Sequence, residues 1–404
     1  MKKFIMPIIF LFTLVLPALY GHLLPDVIVS FFYTLSLIIK ECIIFILPLV
    51  IFALLYTSLG RIGVGSLRFL ILIVPLICFS NFINTLLSYL LSNGCIKIGI
   101  LSVIPSVQQG NSSVMPLFSF SLPPIISNDL ALLAGVLGGI ASGLMKSNKL
   151  HAKVSMIAEK FMKYFFKLLI PLMPLFIFGT ALKLNHDAMI SLILSKYLIV
   201  VEIFVFSAYG YVLLQLFTLS GFHFGPWIDY LKNLLPAVLT GFGSMSSAAA
   251  LPLSIKAAEA NLKNKDNAAI IVPLSVNVHL VGDCFFIPFV AVAILTSFGQ
   301  ELPNISTYLV FAVHFVIAKF AIAAVPGGGI LVMLPILQNY LGFNADMLGL
   351  ITALYVLFDP FITACNIAGN GSLAIVFDKI TKIGNSVQKE IEVLHFNIEM
   401  KYRM

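Results

Sequence analysis

Long apolar runs alternate with short polar interruptions along nearly the whole chain, and most runs are long enough to cross a bilayer as helices. The pattern predicts a first span at Phe4–Tyr20, a second at Phe32–Ser58, a third at Phe69–Leu91, a fourth at Leu130–Met145, a fifth at Phe165–Leu182 and a sixth at Met189–Leu219. Lys40 and Glu41 lie inside the second, and Pro48 is expected to bend it. The fourth is short and glycine-rich (GVLGGIASG), which suits close helix packing. Between the third and fourth lies Ser92–Asn128, a connection too polar for lipid.

From residue 222 the pattern changes. Leu234–Ile255 is apolar at both ends, but its centre, Gly241–Ala250, is made of small residues that favour a tight reversal. It is read as a re-entrant hairpin turning near Ser244–Ala248. Ala268–Phe298 is a span interrupted by Asn277, His279, Gly282 and Asp283. Tyr308–Leu341 repeats the hairpin pattern, with AAVPGGGI, Ala323–Ile330, as its turn. Tyr355–Phe377 is the last span. Two hairpins entering from opposite sides, each followed by a polar-marked span, form an inverted repeat, the sequence pointer to a transporter with a site near the membrane midplane.

The last span carries the sharpest chemistry. Asp359, Thr363, Asn366 and Asn370 are spaced four, three and four residues apart, so a helix places them on one face. Such a stripe cannot face lipid, where each unsatisfied polar group is costly. It either joins helices through hydrogen bonds or faces a substrate, and an intramembrane carboxylate such as Asp359 favours the second.

Composition narrows the class. The chain has 404 residues, 60% hydrophobic and 10% charged, with a mean hydropathy of +1.06. A soluble domain carries about 25% charged residues, so this is an integral membrane protein. The net charge of +7 fits lysine-rich cytoplasmic loops and calls for no nucleic-acid partner. Placing Lys2 and Lys3 inside puts Arg61, Arg68 and the cluster Lys146–Lys167 inside, together with Lys256, Lys263, Lys265 and the tail lysines Lys379, Lys382 and Lys389. Both termini are therefore expected in the cytoplasm, with the protein in the cell membrane. The start resembles a signal peptide, and an uncleaved first span is preferred in a chain this apolar. The five cysteines are scattered and suggest neither disulfides nor zinc. The expected fold is an all-α multi-spanning membrane protein with eight transmembrane helices and two re-entrant helical hairpins.

LTGFGSMSSAAALP, AAVPGGGI and DPFITACNIAGN, with IIKECIIFILPLVIFALLYTSLGRIG in the second span, resemble the dicarboxylate/amino acid:cation symporters, the glutamate-transporter homologues, over nearly the whole chain. The resemblance implies a homotrimer working as an elevator. Residues 1–220 would be mainly scaffold, with the first, third and sixth spans partly on the mobile part. Residues 221–382 would be the transport domain, with the second hairpin tip as outer gate, and 383–404 a cytoplasmic tail. It implies a small amino-acid substrate held by Ser246, Ser247, Val325, Gly329, Asp359, Ile362, Thr363 and Asn366. Asp359 would take the ammonium group, and Ser246, Ser247 and Asn366 the carboxylate. Coupling would involve Ser275, Asn277, His279, Asp283, Lys319 and Asn370. No organic cofactor is implied, and the coupling ion is H+ or Na+.

Departures from the family pattern bear on substrate and coupling. The arginine that would hold an acidic side chain falls on Ile362, its alternative on Met245, and two sodium-binding aspartates fall on Val281 and Asn370. Lys319 stands where a backbone carbonyl would help hold sodium, and only Ser80 and Asn81 lie near the expected third-span ligands. A neutral amino acid is expected first and a basic one second, with proton or reduced sodium coupling. Sodium-coupled acidic symport is the alternative. His279 and Asp283, four residues apart, are read as a proton-responsive pair, as a side-chain contact through Asp283, or as structural. Asp359 paired with Lys319 is the structural alternative for that carboxylate, and a sodium site rebuilt around Ser275, Asn277 and Asn366 is the alternative for coupling. One His and one Asp make no metal site. An intramembrane hydrolase lacks a GxSxG nucleophile motif, and a substrate sensor that binds without transport is the third class.

Overall fold

The computed structural model describes residues 9, 12–13, 15–17, 19–60, 67–102, 114–118, 120, 122–123, 126–144, 149–186, 190–322 and 328–403. Among these the chain is helical, with no strand. We number the helices α1 Asp26–Gly60, α2 Leu67–Lys97, α3 Asn128–Leu144, α4 Lys149–His186, α5 Ile190–Leu219, α6 Phe224–Ser244, α7 Ser247–Asn261, α8 Asp266–Ser275, α9 Val281–Ser297, α10 Ile305–Ala318, α11 Gly328–Leu341 and α12 Ala345–Arg403.

Among the described residues, three helical stretches are long and apolar enough to cross a membrane: Leu72–Lys97, Tyr197–Leu219 and Ala345–Thr381. Asp26–Ile43 and Pro48–Thr57 together make a fourth, bent by 41° where the sequence put Pro48. The arms α10 and α11 have 14 residues each, and α7 has 15. At 1.5 Å per residue these reach about 21–23 Å, short of the roughly 30 Å hydrocarbon core. The paired arms α10 and α11 are both too short to span, as a re-entrant hairpin needs, whereas α7 is paired with the longer α6, 21 residues.

Two elements run further than the apolar pattern indicates. The basic stretch from Lys149 onward is not a loop: it continues into the fifth span as one 38-residue helix, α4. The last span belongs to a 59-residue helix, α12, whose backbone carries most of the charged tail. Lys-rich sequence has good helix propensity, so hydropathy marks where the membrane ends and not where the helix ends.

The first hairpin reverses where small residues cluster. Met245 takes a left-handed conformation (φ 49°), its N–H donating to Gly241 O at 2.8 Å. Ser246 then caps α7, its Oγ accepting the Ala249 N–H at 3.3 Å. At the hairpin's far end Asp378 on α12 accepts the N–H of Lys263 (3.1 Å) and Asn264 (3.4 Å) and the Asn267 amide (2.8 Å), fastening the α7–α8 connection. The second hairpin is α10, a short 3-10 turn over Lys319–Ala321, and α11.

Helix α1 packs chiefly against α3 and α4, and Ser36 Oγ donates to Phe176 O across the α1–α4 contact at 2.9 Å. Helix α9 is buried along its whole length, between α2 on one side and α12 on the other. Helix α12 also packs on α6, and α5 lies against both α12 and α9. The 3-10 turn at Lys319 rests against α1.

Candidate functional site

The site begins with a break. Helix α8 stops at Ser275 and α9 starts at Val281. The N–H groups of Val278 and His279 turn back onto Ser275 O, at 3.0 and 2.8 Å. Backbone left open by a broken membrane helix must find partners, and here neighbouring helices supply them. Asn81 on α2 donates to Val278 O at 2.7 Å and accepts the Leu280 N–H at 3.2 Å. Asn366 on α12 accepts the N–H of Gly282 at 2.8 Å and of Asp283 at 3.3 Å, so a side chain from another helix caps α9. Gly282 permits this approach, because a Cβ there would strike the Ile362 carbonyl oxygen.

Asp283 follows in the first turn of α9, 1% exposed. Tyr355 on α12 donates its hydroxyl to Oδ1 at 2.6 Å, and Asn366 Nδ2 donates to Oδ2 at 3.3 Å. Lys319 Nζ lies 3.9 Å from the same Oδ2 and 4.2 Å from the centre of the Phe315 ring. Lys319 is fully buried and its ammonium has no hydrogen-bond partner among the described residues. Gly329 at the start of α11 is pressed against the Tyr355 hydroxyl, and a Cβ there would also come within 3.0 Å of Asp283 Oδ1.

Asp283, Tyr355, Asn366 and Gly329 border an open cleft. One wall is the first hairpin turn, Met245, Ser246 and Ser247. A second is the broken span, with Asn277, Leu280 and Asp283, and a third is the second hairpin at Ile322 and Gly329. Helix α12 supplies Tyr355, Asp359, Thr363 and Asn366. Thr363 Oγ1 donates to Asp359 Oδ1 at 2.8 Å. Among the described residues the lining holds two carboxylates and no Lys, Arg or His. Among the described residues no group of three His, Cys, Asp or Glu is arranged to hold a metal ion.

Of the residues singled out from sequence, Ser246, Ser247, Asn277, Asp283, Gly329, Asp359, Thr363 and Asn366 line this one cleft. Ile362 is fully buried, with its carbonyl against Gly282, and does not line it. Val325 lies outside the described residues. His279 is fully buried behind the break, with Nε2 2.9 Å from Ser80 Oγ. Among the described residues its Nδ1 and both amide atoms of Asn370 make no hydrogen bond, nor do those of Asn84 on α2. Ser275 contributes its carbonyl to the break and is also off the cleft. Lys319 pairs with Asp283, where the sequence reading had considered Asp359. Sequence reasoning passed over Tyr355, although it lies four residues before Asp359 and thus on the same helical face. It also passed over Asn84, which continues the polar face begun by Ser80 and Asn81.

A stretch of 178 residues is 25% identical to excitatory amino acid transporter 1 of Ambystoma tigrinum, covering 42% of this chain and 32% of that protein, and the human protein of that name matches equally. The L-cystine uptake protein TcyP of Bacillus licheniformis is 29% identical over 178 residues, 44% of this chain and 37% of that protein. The aligned stretch thus spans about a third of the length of these relatives. Residues 6–380 match the Sodium:dicarboxylate symporter family as a whole, and the chain belongs to that family of membrane transporters.

Proposed function

We propose that this transporter carries a neutral amino acid as its zwitterion, bound in the cleft between the two hairpin turns. The observation that carries the reading is the charge of the lining: among the described residues it holds two carboxylates, Asp283 and Asp359, and no cation. Asp283 already faces Lys319, Tyr355 and Asn366. Asp359, which lines the cleft on α12 with the Thr363 hydroxyl donating to its Oδ1, is the proposed group for the substrate ammonium, since a desolvated carboxylate favours a cationic partner. A helix start presents four N–H groups without intrahelical acceptors, and Ser246 Oγ takes only that of Ala249. The start of α7, at Ser246 and Ser247, is therefore the seat for the substrate carboxylate. An acidic side chain would be buried without a countercharge, which costs several kcal/mol. The names of two relatives, an excitatory amino acid transporter and an L-cystine uptake protein, fit an amino-acid cargo.

Transport is proton-driven or facilitative and needs little sodium. Val281 and Asn370 stand where carboxylates would balance the ion, and a bare cation in a low-dielectric site needs anionic or carbonyl oxygens. Ser275 O, one candidate ligand for a rebuilt site, already accepts two N–H groups, and Asn366 Oδ1 accepts two more. We further propose eight spanning helices with both termini inside, a trimeric scaffold, and elevator motion of the hairpin-bearing part with the second hairpin as outer gate. The test is uptake into proteoliposomes across an amino-acid panel, with sodium replaced by choline at fixed pH. Neutral amino acids should exchange in choline. Loss of nearly all uptake there would overturn the coupling, and micromolar saturation by aspartate or succinate would overturn the substrate.

A further inference from the structure

We propose that Lys319 is the specificity-determining residue that keeps cationic side chains out of the cleft by occupying Asp283. The inference rests on the amino-acid reading of the same site and goes beyond it by assigning the side-chain selectivity. Asp283 and Asp359 both line the cleft, and two lining carboxylates would by themselves suit a substrate with two ammonium groups, a diamino acid. Lys319 changes that account from behind the wall. It does not line the cleft, it is fully buried, and its ammonium lies 3.9 Å from Asp283 Oδ2.

The charged, titratable and polar groups around Asp283 are few. Tyr355 from α12 donates to Oδ1, Asn366 from α12 donates to Oδ2, Cys365 on α12 lies within its field, Cys284 is its neighbour on α9, and Lys319 comes from the second hairpin. Lys319 is the only cation paired with it among the described residues. The ammonium also lies over the Phe315 ring, which holds it in place without a hydrogen bond. The positive charge is tethered, so the Asp283 carboxylate is balanced whether or not substrate is present. A second ammonium on a substrate then finds no uncompensated anion and meets the field of Lys319. A neutral side chain meets no such opposition.

The test uses the full chain in proteoliposomes, reading counterflow of serine or leucine against ornithine and lysine. In Lys319→Met the ratio of ornithine to neutral uptake should rise at least tenfold, and Lys319→Arg should keep the wild-type ratio. Adding Asp283→Asn to Lys319→Met should abolish the gain, which a merely structural lysine would not do. Asp283→Asn alone, with Lys319 left uncompensated, should shift competition toward aspartate, and this arm stands even if Lys319→Met fails to fold. Lys319→Met that carries neutral amino acids yet rejects ornithine as wild type does would overturn the inference while leaving the amino-acid reading intact. Unchanged selectivity in Asp283→Asn would overturn it too. Wild type that moves no neutral amino acid would overturn both.

Discussion

The bundle of α1, α3 and α4 and the group α8, α9 and α12 differ in how far their backbone depends on side chains from neighbouring helices. In the bundle, three threonine hydroxyls turn onto carbonyls of their own helix, Thr34 to Ser30 O (2.6 Å), Thr57 to Ala53 O (2.8 Å) and Thr180 to Phe176 O (3.0 Å), while Ser36 reaches across from α1 to Phe176 O on α4. The helices there bend at prolines but are not interrupted, so among the described residues no helix start or end is left open inside the bundle as it is between α8 and α9. Around α8 and α9 the helix is broken, and side chains from α2 and α12 close the open backbone. The same side chains border the cleft or hold those that do. A broken helix in lipid thus forces neighbouring helices to commit polar residues to one place, and that concentration of donors and acceptors makes a site. Burial follows the same division: Leu130, Leu133 and Leu137 on α3 are exposed, whereas every residue of α9 is buried.

The largest effect that would sharpen this contrast is expected at Asp359. Asp359→Ala should weaken binding of a neutral amino acid at least a hundredfold, about 3 kcal/mol, as measured by equilibrium binding in detergent, with the fold retained. Near-normal affinity in a folded variant would remove the ammonium role. Next comes Asn366→Ala. It leaves two N–H groups at the start of α9 without their acceptor, at about 1–3 kcal/mol each, and takes one donor from Asp283. Thermal stability and substrate affinity should fall together, and a fall in affinity with an unchanged melting temperature would show that the cap contributes nothing. Asp378→Ala comes third, because it deprives two backbone N–H groups and the Asn267 amide of one carboxylate. A loss of about 2–3 kcal/mol is expected, visible as a lower melting temperature and faster proteolysis near residue 264, with affinity for substrate little changed. The smallest effect belongs to the bundle. Ser36→Ala, which removes one hydroxyl between continuous helices, should cost about 1 kcal/mol or less and leave uptake intact. An effect at Ser36 as large as that at Asn366 would erase the distinction between the two regions.

Much of this arrangement was legible in the sequence because it is local. The reversal at Ser244–Ala248 is written in small residues and falls at Met245 and Ser246. The polar face of the last span follows from helical spacing, and three of its four residues line the cleft. What local pattern does not encode is which partner each polar group takes. Asn366, expected to meet substrate, also caps another helix 83 and 84 residues away in sequence. Lys319 belongs with Asp283, a pairing set by how the second hairpin packs on α9. Away from the cleft Tyr33 and Lys183 both bind Asp346, at 2.9 and 2.6 Å, across 313 and 163 positions, and nothing near any of the three announces it. Asn370 shares the spacing of the stripe but lies beyond the cleft, since the helix carries the face deeper than the cavity reaches.

The central claim is that the cleft reads both ends of an amino-acid zwitterion, the ammonium at Asp359 and the carboxylate at the start of α7. The most direct measurement is competition in counterflow by three ligands sharing one side chain: leucine, its decarboxylated amine and its deaminated acid. The account predicts that leucine competes and that the amine and the acid each compete at least a hundredfold more weakly. Competition by either analogue within tenfold of leucine would contradict it.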